Sequence, residues 1–171
     1  MLIASPTIAY DEADLKKLKL LRACQGCDLS GAKLRYEDLK NADLVGVNLS
    51  EAELKAADLS GANLTDANLT NANLTATDLN GAVLQNADLK GADLTNAHLL
   101  RSDLRGADLS TFELDISRLK EATICGTKVP SGVLDRDCRW SSPTRAVEHK
   151  LTSLPDYERE YICDHESLFS A

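Results

Sequence analysis

The sequence predicts an all-β solenoid, a chain wound into stacked coils, and three observations carry that prediction. An aliphatic residue returns every five positions from Leu29 to Ile124 without a skip. A small residue, usually Ala, stands two places before most of these centres, as in Ala57-Asp58-Leu59 and Ala72-Asn73-Leu74. Two places after them Gly, Asn or Asp recurs, at Gly31, Gly46, Gly61, Gly81, Gly91 and Gly106 among others.

A period of five fits neither the 3.6-residue helix nor an alternating strand. Side chains alternate along extended backbone, so the centre and the small residue two before it share one side. The next small residue follows three places after the centre, and that odd step would reverse the side. The chain must turn a corner in every repeat to keep Leu and Ala inside, and corners of one hand wind it into a coil. Gly, Asn and Asp tolerate left-handed backbone, and they stand where the period needs the turn. Fixed-period units of this kind bury their inner face only against their neighbours.

Segments such as Ala62-Asn63-Leu64-Thr65-Asp66 and Ala87-Asp88-Leu89-Lys90-Gly91 resemble the pentapeptide-repeat family, whose motif is a small residue, Asp or Asn, Leu, then two variable positions. The resemblance implies a right-handed quadrilateral β-helix with four repeats per coil. Twenty repeats would then give about five coils, a rod of about 24 Å at roughly 4.8 Å per stacked strand. The entry Cys24-Gln25-Gly26-Cys27 and the exit Thr127-Lys128-Val129-Pro130 look like those of cyanobacterial members.

Residues 1–23 are expected to form an N-terminal capping helix segment. Asp11 to Arg22 reads as a short helix with Leu15, Leu18 and Leu21 as its apolar stripe, acids at its start and bases at its end. Residues 24–134 form the repeat coil. Residues 135–171 read as a C-terminal helical cap, with helix starts at Ser142-Pro143 and Pro155. Such caps cover solenoid ends that would otherwise expose their interior.

Departures from the motif single out particular residues. Glu37 and Phe112 occupy inward small-residue positions; Glu37, in the first coil, needs a partner or an outlet, for which solvent, the capping helix, Lys33 and Arg35 are the candidates. Cys24 and Cys27 fall at inward positions, as two buried small residues or a disulfide. A zinc site would require two further ligands that no second cysteine pair or histidine cluster supplies. Cys125 and Cys138 form a second candidate disulfide. Tyr36, Leu100 and Ile116 are expected to be exposed apolar residues.

With four repeats per coil, residues twenty apart stack. Asp38, Asp58 and Asp78 then form an acidic column, a candidate interaction face, continued by His98 and Arg118. Asp28, Asn48, Asn68, Asp88 and Asp108 form another. Both repeat the motif's own preference for Asp or Asn, so a solvated face also explains them.

The 171-residue chain carries a net charge of −8, which disfavours direct binding to a phosphate backbone. Its three histidines are isolated in sequence, and its glycines are evenly spaced rather than gathered into a phosphate loop. We therefore expect no enzyme, no metal and no cofactor, but a structural and protein-interaction module with an unidentified protein partner. The alternative drawn from the family is an acidic rod that imitates DNA and binds a topoisomerase or another DNA-binding protein. No apolar run suggests a membrane helix, and a monomer is expected in preference to a tail-mediated dimer. Five cysteines, an odd number, favour the cytoplasm. Periplasm or thylakoid lumen would follow if a targeting segment had been removed.

Overall fold

A computed structural model describes residues 10–111, 119 and 121–134 of the chain. The expected C-terminal cap, Phe112, Ile116, Arg118 and Cys138 lie outside these residues. From Ala23–Asp43 to Asp108–Lys128, parallel bridges join residues twenty apart, so one coil takes four repeats. The result is a β-helical repeat fold.

The repeat centred on Leu64 shows why the period is stable, because each of its five backbone N–H groups finds an acceptor. Asn63 N–H donates to Ala42 in the preceding coil at 2.9 Å, and Leu64 and Asp66 donate to Val83 and Gln85 in the following coil at 2.7 and 2.8 Å. Ala67 N–H closes the corner onto Leu64 at 3.1 Å. The remaining donor, Thr65 N–H, points away from both neighbouring coils and bonds the Asn63 side-chain Oδ1 at 3.2 Å. The backbone account closes only because Asp or Asn precedes the centre.

Inside the coil, Leu29, Leu34, Leu44, Leu49, Leu54, Leu59 and Leu64 are fully buried, as are Ala32, Ala42, Ala52 and Ala62. Burying each Leu contributes about 1.5–3 kcal/mol. Thr77 and Thr127 replace Ala without an orphaned hydroxyl, since their Oγ1 atoms donate to the carbonyls of Leu54 and Leu104 at 2.8 and 2.7 Å.

From Gly26 to Gly106, and again at Gly126, the corner residue two after each centre is left-handed, whatever stands there. Asn41 (φ 54°) and Asn71 (φ 57°) accept this readily, but Tyr36 (φ 62°), Glu51 (φ 58°), Ala56 (φ 56°), Ala76 (φ 55°) and Arg101 (φ 57°) adopt it too. Each of these costs roughly 1–2 kcal/mol of local preference, offset by the pairing on either side.

The N-terminal helix, α1, spans Glu12–Leu21. Asp11 caps it by accepting from Ala13 N–H at 2.7 Å, and Arg22 ends it in a left-handed conformation. Leu18 is fully buried against the coil and Leu15 partly so, but Leu21 is 67% exposed, which corrects the expected three-residue stripe. A spacing of three retreats about 60° around the helix at each step, so Leu21 has rotated out of the contact face. Asp28 N–H donates to Asp14 Oδ2 at 2.9 Å, tying α1 to the coil. Glu37 is answered from the same helix: Lys19 Nζ lies 2.7 Å from its Oε1. Of the expected alternatives the capping helix supplies the partner, while Lys33 and Arg35 project outward and Arg35 faces Glu53 at 3.7 Å.

At the end of the described coil, β1 (Thr127–Val129), whose Lys128 still bridges Asp108, pairs antiparallel with β2 (Gly132–Leu134), Thr127 opposite Leu134.

Candidate functional site

Everything the coil can present to another molecule lies on its outer faces, because the interior is filled. Asp38, Asp58, Asp78 and His98 stand in one ladder, bridged in succession. Asp28, Asn48, Asn68, Asp88 and Asp108 form a second, which ends on Lys128.

Neither ladder is a bare row of charge. Asp38, Asp58 and Asp78 each accept an N–H two residues on, from Lys40, Ser60 and Asn80 at 3.2, 3.1 and 2.9 Å. Arg22 also donates to Asp38 at 2.6 Å, and Lys40 reaches Asp58 at 3.1 Å. The Lys40 N–H and the Arg22 guanidinium hold the Asp38 carboxyl below its ordinary range. At Asp58 partial burial pushes the other way and is outweighed by the Ser60 hydroxyl and Lys40. Among the described residues Asp78 makes no ion pair. In the second ladder, Asp108 accepts from Ser110 N–H at 3.1 Å and faces Lys90 and Lys128 at 3.2 and 3.6 Å. The Ser110 hydroxyl, with Lys90, lowers its pKa to about 2. Amides stack along the same ladder: Asn48 donates to Asp28 and Asn68 to Asn48, at 2.9 and 3.1 Å.

Sequence reasoning placed these columns but missed the turn bond in which their side chains take part. The signal was present in the Asn-Leu-Ser and Asn-Leu-Thr triplets, where a hydroxyl follows two places after the amide. Ser50, Thr65 and Thr70 donate both N–H and O–H to such an oxygen.

Cys24 and Cys27 are buried and joined by a disulfide, with Cα atoms 5.3 Å apart. Cys125 is also disulfide-bonded, while Cys138 is outside the described residues. His98 is exposed on its ladder, far in sequence from the cysteine pair, and His149 and His165 lie outside the described residues. Tyr36 and Leu100 are 70% and 48% exposed, and the twenty-residue register puts them in different columns. Among the described residues no helix is long and apolar enough to cross a membrane.

The family described as Pentapeptide repeats matches residues 24–61, 48–86 and 72–110. A pentapeptide repeat protein (Rfr23) of the cyanobacterium Cyanothece 51142 is 33% identical, with 68% of this chain and 93% of that one covered and a TM-score of 0.51. A pentapeptide repeat protein of Nostoc PCC 7120 is 30% identical over 68% of this chain and 95% of its own, with a TM-score of 0.40. HetL, a protein of Nostoc sp. strain PCC 7120 involved in heterocyst differentiation regulation, is 28% identical over 64% of this chain and 65% of its own, with a TM-score of 0.40. A search of curated proteins finds no match.

Proposed function

The chain belongs to the pentapeptide-repeat family, and from that premise we propose that it is a non-enzymatic protein-interaction module, a rigid rod read by a partner protein through its outer faces. We take the coil to be right-handed, with about five turns, a cap of residues 1–23 and a second cap of residues 135–171. The chain acts as a monomer in the cytoplasm.

One observation carries this reading: the interior is closed by Leu, Ala and a few other small or aliphatic side chains along the described coil, so recognition falls to the side chains outside. These are polar, regularly spaced and held in place by their own turns. A rigid display of this kind loses little conformational entropy when a partner docks.

Imitation of DNA is the second reading, favoured by the excess of acid over base between residues 24 and 111, thirteen against seven. The distribution of charge weighs against it. Asp38, Asp58, Asp88 and Asp108 are each paired with a Lys or Arg, which leaves a mosaic rather than two continuous anionic rails.

Affinity capture from a lysate of the source organism, at low and high salt, separates the readings. A partner retained through high salt and unrelated to DNA is the expected result. Release of a DNA-handling enzyme by high salt would favour mimicry, because screening weakens a charge-driven contact. An empty column at both salts would contradict the interaction module.

A further inference from the structure

We propose that the reduced Cys24–Cys27 pair and the Asp14 carboxylate form a binding site for a zinc-class divalent cation where α1 meets the coil. The coil contributes two sulfurs in a Cys-x-x-Cys spacing, and the helix brings a carboxylate from ten residues upstream. One oxygen of Asp14 and both sulfurs lie within 4.8 Å of one another. Tetrahedral coordination at about 2.3 Å to sulfur and about 2.1 Å to oxygen puts donors roughly 3.7 Å apart. Reaching that spacing requires the sulfur–sulfur bond to open and the three side chains to rotate.

The surroundings suit such an ion. Asp28 N–H holds Asp14 Oδ2 at 2.9 Å, which orients the carboxylate from behind. Two thiolates and a carboxylate around a dication leave one negative charge. Lys17 Nζ, 3.8 Å from Cys27 Sγ, supplies the compensating cation. Three protein ligands leave the fourth position to water or an exogenous ligand.

The site and the disulfide exclude each other. A dithiol reductant gives two electrons and two protons to the Cys24–Cys27 bond and leaves as its own disulfide. The cation then displaces both thiol protons to solvent. An oxidising environment therefore fixes the pair as a disulfide, and a reducing one opens it to metal, which then staples α1 to the coil.

The test uses the full chain with Cys125, Cys138 and Cys163 changed to Ser, reduced and titrated with Cd2+. The expected result is a cadmium–thiolate charge-transfer band that saturates at one ion per chain, with Zn2+ displacing it. Asp14→Asn should weaken binding about tenfold or more with the circular dichroism unchanged, and the oxidised chain should bind no ion. Where the triple-Ser chain does not fold, the native chain is compared with Cys24→Ser/Cys27→Ser, which should lose one equivalent. Bound ion should also raise the melting temperature of the reduced chain and not of the oxidised one. Absence of a one-equivalent band, or Asp14→Asn binding as tightly as its parent, would overturn the proposal.

Discussion

Asn68 serves two donors of one neighbour with a single side-chain oxygen, since Oδ1 accepts the Thr70 N–H and O–H at 3.1 and 2.8 Å. Removing it strands a backbone donor, so Asn68→Ala should cost about 1 kcal/mol in urea unfolding. The converse applies at Val83, which occupies the same position in its repeat without an acceptor for Gln85 N–H. Val83→Asn should stabilise by about 0.5 kcal/mol, and a loss would contradict the turn account. Glycine corners divide similarly. A Cβ on Gly81 (φ +66°) meets open space, whereas one on Gly91 (φ +69°) runs into Asn71 Oδ1. Gly91→Ala should therefore cost more than Gly81→Ala, although both carry the left-handed penalty. Asp108 links stability to pH. Its folded pKa of about 2 lies below its ordinary 3.8, so its contribution is full above about pH 4 and fades as pH falls towards 2. Asp108→Asn should flatten the fall in stability across that window and leave the rest of the profile unchanged.

At the scale of elements, the period made the coil legible, because only a corner in each repeat keeps Leu59 and Ala62 on the same side. Other features depended on which group lies across a gap. Nothing in sequence says that Lys19, eighteen residues before Glu37, is nearer to it than Lys33. Left-handed corners at Tyr36 and Arg101 were likewise invisible, since neither residue prefers them and the ladder imposes them. The helix offers a direct check. Leu18→Ala should cost about 2–5 kcal/mol as a cavity, while Leu21→Ala should stay within about 0.5 kcal/mol. Denaturant titration followed by amide exchange in α1 would distinguish them. Equal losses would restore the stripe expected from spacing alone.

Across the whole molecule, one device serves folding and display together. Where Asp or Asn closes the turn, the same residue lines the outer ladder, so the sequence cannot vary the ladder freely there without loosening the corner. That coupling hid the candidate site, because a column required by the turn looks the same as a column kept for a partner. The two roles can be separated chemically. Asp→Asn keeps the Oδ1 acceptor and removes the charge, so Asp38→Asn/Asp58→Asn/Asp78→Asn should keep the fold with a melting temperature close to that of the parent. The most direct measurement is quantitative capture by this variant beside the parent and beside an equivalent variant of the other ladder, Asp28→Asn/Asp88→Asn/Asp108→Asn. A module read through one outer face predicts that one of the two variants loses a partner that the other keeps. Identical sets retained by all three folded chains would contradict recognition through these ladders.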